Sequence, residues 1–207
     1  MSKILASRLK TMLPKFISSW QGAFVQGRLI QDKTIIAFEV INAIKKSKRK
    51  LSYIALKMDM EKAYDWMEWS FLLKIMEILG FNAQWISLIS ECISSPSFSI
   101  LINGSPHGFF SSSHGLRQGN PLSPFFFIIG VEALSRVLSK FEAEGLFKGF
   151  PLTRQCPRVS HLLFVDDLII FSWATMEDVS TVQSCIQKYQ DWSGQKVNIK
   201  KSTVMFN

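Results

Sequence analysis

Apolar and polar positions follow two different periods along this chain. Across residues 33–44, Ile36, Ala37, Val40, Ile41 and Ile44 recur at helical spacing, which predicts a helix with one buried face. Residues 8–20 read as a shorter helix broken at Pro14. Over residues 53–60 the period changes to two, and Ile54, Leu56 and Met58 share one face of a strand whose end is Asp59. Helices are predicted over residues 69–79 and 85–93, with Gly80 between them. An apolar run over residues 98–102, followed by Asn103-Gly104, predicts a hairpin whose return strand carries Phe109 and Phe110. A long helix covers residues 121–144 after a Gly/Pro-rich entry. Two apolar strands, 162–165 and 168–171, flank Asp166-Asp167. The last helix, 176–192, aligns Val179, Val182, Ile186 and Tyr189 and has Gly194 as its C-cap. A short strand over 203–206 follows a Lys-rich link. This order of elements implies an α+β fold, an antiparallel sheet with helices packed on one face.

Composition narrows the class. Of the 207 residues 47% are hydrophobic and 19% charged, enough apolar matter for a sizeable core and against intrinsic disorder. Lys and Arg number 24 against 16 Asp and Glu, a net charge of +8. That surplus favours a polyanionic partner, nucleic acid or an anionic membrane surface, without choosing between them. Cys92, Cys156 and Cys185 are too few and scattered for a disulfide framework, and no CxxC suggests zinc. A reducing, intracellular compartment is expected. Residues 1–15 lack the basic-then-apolar order expected of a signal peptide, and the longest apolar stretch, residues 125–131, stops at Glu132, far short of the ~18 residues that span a bilayer.

The candidate chemistry lies in carboxylates set among apolar residues. In His161-Leu-Leu-Phe-Val-Asp-Asp-Leu-Ile-Ile-Phe171 the flanks favour burial and the two acids oppose it. Placing both acids at a hairpin tip resolves the conflict. A polar turn between buried strands explains the pair without further function. Against that, the glycine usual in a tight hairpin turn is missing. A second acid, Asp59, also ends an apolar strand. If the two strands are neighbours, Asp59 meets Asp166 and Asp167 at one sheet edge. Three carboxylates from two strands form the protein half of a two-metal phosphoryl-transfer site.

Four segments carry a resemblance. They are Lys57-Met-Asp-Met-Glu-Lys-Ala-Tyr-Asp65 with Trp69, Gly115-Leu-Arg-Gln-Gly-Asn-Pro-Leu-Ser-Pro124, Phe164-Val-Asp-Asp167, and Ser193-Gly-Gln-Lys-Val-Asn-Ile-Lys-Lys-Ser202. In this order and spacing the chain resembles the reverse transcriptase domain of non-LTR (LINE-type) retrotransposons, especially those of plants. The stretch from Arg8 to Arg28 resembles the end of that family's fingers. The resemblance implies a right-hand polymerase palm over residues 53–207, with inserted fingers elements, partial fingers over 1–52 and the thumb absent. It implies an RNA-directed DNA polymerase that joins dNTPs to a DNA primer on an RNA template.

By the same resemblance Asp59, Asp166 and Asp167 are catalytic and hold two Mg²⁺ ions, which Mn²⁺ can replace. Asp167 diverges and is the weaker ligand, and the Met60 carbonyl is a further one. Tyr64 excludes a 2′-hydroxyl; Lys62 and Ala63 flank the nucleotide pocket; Arg117 and Gln118 supply donors; Lys201 lies near the leaving pyrophosphate. As the bland alternatives, Tyr64 is a core aromatic, Ser123 a helix cap and Lys201 an exposed lysine. The basic surplus is assigned to template and primer backbones, with Arg8, Lys10, Arg28 and the run from Lys45 to Lys50 as candidates.

Two residues depart from the family pattern. Asn120 stands where an acid is usual and alters a loop hydrogen bond, and Trp66 puts a bulky ring after Tyr64-Asp65 that threatens the palm. The resemblance also implies a chain cut before its thumb, with endonuclease and thumb regions belonging to a parent polyprotein, a nuclear location and no membrane. A catalytically silent, nucleic-acid-binding remnant is the alternative function. An unrelated Mg²⁺ phosphotransfer domain would require alternating βαβ units and a parallel sheet.

Overall fold

The computed structural model describes residues 2–47, 52–153 and 156–206. Helix α1 (Ser2–Met12) runs into a 3₁₀ turn (Leu13–Lys15) where Pro14 ends the regular hydrogen bonding. Helix α2 (Ile30–Lys46) starts three residues before the apolar periodicity does. Strand β1 (Tyr53–Met58) is followed by β2 (Met60–Glu61), with Asp59 between them. Then come α3 (Trp69–Ile78), α4 (Ala83–Ser94), the hairpin β3 (Ser97–Ile102) and β4 (Ser105–Ser111), and α5 (Ser123–Ala143). Strands β5 (His161–Phe164) and β6 (Asp167–Trp173), helix α6 (Met176–Ser193), β7 (Lys196–Val197) and β8 (Thr203–Phe206) complete the order. Gly194 caps α6 at φ +73°, as its position predicts.

The main sheet is antiparallel throughout, in the order β5-β6-β1-β8. This excludes the parallel βαβ alternative. Residue parity along β1 and β6 divides the core in two. Leu56, Met58, Leu168 and Ile170 face the larger cluster, built on α1, α3, α5 and α6. Tyr53, Ala55, Ile169 and Phe171 face the smaller one, with Ala37, Val40 and Ile44 of α2. The α+β expectation is met, and both faces of the sheet are covered rather than one. The period-two pattern of β1 marks the first face, and the helical period of α2 supplies the lid of the second.

Helix α5 is the central strut. Residues 126–131 are buried without interruption, because a helix apolar on all sides finds its place inside the core. Glu132, which ends the apolar run in sequence, is 2% exposed. Its carboxylate accepts from the Ser18 N–H at 2.9 Å and from Arg136 Nε at 2.9 Å. Burial pushes its pKa up, and those hydrogen bonds and the Arg136 charge pull it back. Among the described residues no helix is long and apolar enough to cross a membrane.

Candidate active site

Strand register assembles the acidic edge. Met58 pairs with Leu168 in the antiparallel β1–β6 ladder, so the next step along that register sets Asp59 beside Asp167. Phe164 pairs with Asp167, leaving Val165 and Asp166 as the two-residue loop between β5 and β6. The predicted strand over 162–165 therefore ends one residue early, and Asp167 belongs to β6 rather than to the turn. Asp166 alone of the pair occupies the tip.

The residues after Asp59 are held by the C-terminal segment. β2 pairs with β7, Met60 opposite Val197, and the Met60 side chain is buried. The Asp59 carbonyl accepts from Asn198 N–H at 2.8 Å. The Asp59 N–H donates to Ser202 Oγ at 3.4 Å, and that hydroxyl donates to the Asn198 carbonyl at 2.8 Å. Buried Gln195 donates from Nε2 to the Ala63 carbonyl at 2.8 Å. Gln195, Asn198 and Ser202 thus fix the backbone of the Asp59 segment. Their presence in the fourth motif is the one signal in sequence; their partners, more than 130 residues away, are not readable there.

Two lysines balance the edge. Lys57 Nζ lies 3.2 Å from Asp167 Oδ1, and Lys201 Nζ lies 3.9 Å from Asp59 Oδ2. Lys57 and Asp167 occupy the same sheet face. No cluster of three His, Cys, Asp or Glu side chains tight enough to hold a metal is present among the described residues. The donor set nonetheless suits a hard cation, because the acids offer only carboxylate oxygen, and Lys57 and Lys201 supply the positive charge at Asp167 and Asp59 that such a cation would replace.

A cleft of about 540 Å³ is lined by Tyr64, Gln118, Gly119, Asn120, Ser123 and Pro124. The Tyr64 ring stacks on Phe127 of α5, centroids 5.0 Å apart and planes 16° apart. Burial raises the pKa of its hydroxyl, and the Asp166 carboxylate raises it further. The core role and the site role of Tyr64 are therefore compatible: one face packs and the other lines the cleft. Gln118 shares that cleft, whereas Arg117 is exposed and lines a second cavity of about 510 Å³ with His114, Trp69 and Gln118. Lys62 is exposed at a turn with φ +44°. Ala63 is buried, and its carbonyl is taken by Gln195.

Backbone contacts join the two motifs. Leu116 N–H donates to the Tyr64 carbonyl at 2.7 Å, and Gly115 N–H donates to the Met67 carbonyl at 2.8 Å. Trp69 Nε1 donates to the Gly115 carbonyl at 2.6 Å. A Cβ on Gly115 would stand 2.8 Å from the Asp65 carbonyl oxygen, and its φ is +87°, so only glycine permits this approach. Asn120 Oδ1 accepts from Leu122 N–H at 3.0 Å, a bond an aspartate makes equally well. Ser123 donates to the Arg117 carbonyl at 2.6 Å instead of capping α5. Trp66 is accommodated by ring contacts, while its buried indole N–H has no hydrogen-bond partner among the described residues. Its ring stacks on His114 at 6.0 Å and lies under Lys196 Nζ at 4.2 Å.

Arg28 belongs to the fold rather than to a binding surface. Its guanidinium donates to the Ser18 carbonyl, to that of Gln21 at 2.9 Å and to that of Ile17 at 2.7 Å. Lys45 and Lys46 close α2, and Lys48, Arg49 and Lys50 lie outside the described residues.

Comparison with known proteins agrees with this arrangement. Residues 1–206 match the family described as reverse transcriptase (RNA-dependent DNA polymerase). An uncharacterized mitochondrial protein of Arabidopsis thaliana is 42% identical over 73 residues, 35% of this chain and 60% of that protein. The uncharacterized 149 kDa protein of transposon TX1 from Xenopus laevis is 25% identical over 202 residues, 98% of this chain and 15% of that protein. The Pol polyprotein of the type-1 retrotransposable element R2 from Popillia japonica is 26% identical over 119 residues, 58% of this chain and 19% of that one. The chain therefore spans less than two thirds of the length of each of these relatives. Among solved structures, apo telomerase from Candida tropicalis superimposes with a TM-score of 0.65 at 18% identity, over 99% of this chain and 40% of that one. Telomerase from the same organism in complex with a fragment of telomeric RNA gives 0.67 at 16% identity, over 99% of this chain and 33% of that one. On sequence, fold and the convergence of its motifs, the chain belongs to the reverse transcriptase family of RNA-dependent DNA polymerases.

Proposed function

We propose that this chain is the palm, residues 53–207, with part of the fingers, residues 1–52, of a retrotransposon RNA-directed DNA polymerase that adds dNTPs to a DNA primer on an RNA template. One observation carries the reading: the β1–β6 register, which brings Asp59 to the edge where Asp166 and Asp167 stand. Asp59 and Asp166 would hold two Mg²⁺ ions, or Mn²⁺, with the Met60 carbonyl as a further ligand. Asp167, held by Lys57, is the weaker ligand. When bound, such a pair of ions activates a primer 3′-hydroxyl and stabilises charge on a triphosphate and its leaving group.

The protein's own groups do the rest. Gln118 and the Tyr64 ring face one cleft, so Gln118 can donate to an incoming nucleotide while the ring, fixed by Phe127, obstructs a 2′-hydroxyl. Lys62 and Ala63 precede Tyr64 in the chain, and the resemblance assigns them to the flank of the nucleotide pocket. Arg117 offers its guanidinium at the neighbouring cavity. Lys201, now paired with Asp59, is placed to shift toward departing pyrophosphate as a cation or proton donor.

The test is incorporation of labelled dNTP on a primed RNA. Asp166→Asn should remove extension by at least about a thousandfold, as expected for loss of a group acting on the transition state, while binding of the primed RNA persists. Extension at the wild-type rate in the variant would overturn the assignment. Binding by the wild type with no incorporation under Mg²⁺ or Mn²⁺ would leave a nucleic-acid-binding remnant as the function.

A further inference from the structure

We propose that Gln21 is a positioning residue for Asp166: its side-chain carbonyl holds the backbone conformation of Val165 from which Asp166 projects. This deepens the reading above and rests on it for the role of Asp166.

Val165 is the first central residue of the β5–β6 loop, and its φ is +59°. A positive φ there alone is the sign pattern of a type II′ turn, which favours glycine at that place. A β-branched residue in the left-handed region is strained and persists only where its surroundings over-determine it. The surroundings here come from 144 residues upstream. Gln21 is 1% exposed. Its Oε1 accepts from Val165 N–H at 3.4 Å and from Ala23 N–H at 3.0 Å. The backbone on either side is clipped to β5: Leu163 N–H donates to the Trp20 carbonyl and Gly22 N–H to the Leu163 carbonyl, each at 3.1 Å.

The clip is itself anchored. Arg28 donates to the Gln21 carbonyl at 2.9 Å and to that of Ile17 at 2.7 Å. Ser18 is tied through its N–H to Glu132 and through its hydroxyl to Ser135, whose hydroxyl meets His161 Nε2 at 2.7 Å at the start of β5. The Gln21 amide nitrogen is buried and has no hydrogen-bond partner among the described residues. A side chain kept only to fill space would be better as methionine, since an idle buried amide destabilises. The carbonyl is the part in use.

Glycine at position 165 adopts positive φ without strain, so the need for Gln21 should vanish in that background. The measurements on the full chain are amide hydrogen exchange at Val165, Mn²⁺ affinity by electron paramagnetic resonance, and primer extension. Gln21→Met should speed exchange at Val165 at least tenfold relative to Leu163, weaken Mn²⁺ binding about tenfold and lower kcat more than it raises KM for dNTP. In a Val165→Gly background, Gln21→Met should change Mn²⁺ affinity and kcat less than twofold. Equal effects in the two backgrounds, or unchanged exchange at Val165, or faster exchange with unchanged Mn²⁺ affinity and kcat, would each overturn the proposal. If Gln21→Met does not fold, Gln21→Asn, one methylene shorter, meets the same criteria. A wild type that neither binds Mn²⁺ nor extends primers would fell the polymerase reading, while exchange at Val165 would still decide whether Gln21 holds the turn.

Discussion

Two hairpins in this molecule are each closed by a two-residue loop, and they are built on opposite terms. In β3–β4 the loop is Asn103-Gly104, both at positive φ, the pairing that a type I′ turn prefers. Every residue of both strands is exposed except half-buried Phe98. In β5–β6 the loop is Val165-Asp166, a poor turn by local preference, and the strands lie between two hydrophobic clusters. The first hairpin is specified by its own residues. The second is specified by everything around it. Local preference and global fold agree where nothing is asked of the turn, and conflict where a carboxylate has to be presented at its tip.

The largest expected difference is in core packing. Leu168 in β6 is 1% exposed and Leu101 in β3 is 70% exposed. Leu168→Ala should destabilise the fold by about 3 kcal/mol, and Leu101→Ala by less than ~0.5 kcal/mol. Urea unfolding of both variants checks this. Similar losses at the two positions would erase the distinction between the hairpins.

A second difference is in pH response. His161 opens β5 fully buried, with Ser160 Oγ near Nδ1 and Ser135 Oγ near Nε2. Burial pushes its pKa down to about 3, so the unfolded chain takes up a proton that the folded one refuses. Stability from the neutral ring is present above pH 6.5 and is lost as pH falls from there toward 3. At pH 5 the loss is about 2 kcal/mol, from ~1.4 kcal/mol per pH unit over 1.5 units. Glu132, whose pKa burial raises, works in the opposite sense: its protonation favours the fold as pH falls toward 4.5. Comparing wild type with His161→Gln in thermal melts from pH 7.5 to 5 cancels the Glu132 contribution. The wild type should fall more steeply, and parallel profiles would refute the assignment to His161.

The turns themselves supply a smaller effect. Asn103→Val places a β-branched residue at φ +50° with no tertiary clamp and should cost the hairpin about 1–2 kcal/mol. Because β3 and β4 touch little else, the loss should appear as weakened cross-strand contacts in nuclear magnetic resonance, with the global melting point little changed. An equal fall in the global melting point would mean that β3–β4 is part of the main cooperative unit.

The contrast also explains what could be read from the sequence. Asn103-Gly104 identifies its hairpin unaided, and the apolar periods place β1, α2, α5 and α6 to within a few residues. The meeting of three acids at one sheet edge was legible because an acid ending an apolar strand is conspicuous, whereas Tyr64 was singled out only by the family resemblance. What escaped is whatever depends on a distant partner. Gln21, Gln195 and Ser202 lie in segments that carry the family resemblance, yet nothing in the sequence says that each bonds backbone more than 130 residues away. Arg28 read as a free cation and is occupied by three carbonyls. Glu132 read as the end of an apolar run and is a buried link to Ser18. The pair β2–β7 is too short to show a period, and helix cover on both sheet faces follows from α2 meeting residues of odd parity on β1, which neither segment announces alone.

The smallest effect concerns the lysine that shares a sheet face with Asp167. The side chains of Lys57 and Asp167 are 51% and 45% exposed, so water screens their attraction. An exposed pair of this kind is worth ~0–1 kcal/mol. Lys57→Met keeps the aliphatic stem against the sheet and removes only the charge, and should change unfolding stability by less than ~0.5 kcal/mol. Its electrostatic consequence is the informative one. With the ammonium gone, the acidic edge loses one of its two balancing cations, and divalent ions should bind more tightly there, most visibly at low ionic strength where screening is weakest. Mn²⁺ titrations at two salt concentrations check this. Unchanged affinity at low salt would mean that Lys57 and an incoming cation do not compete, and that Asp167 serves the β6 edge as a structural residue in the same way that Asn103 serves its own turn.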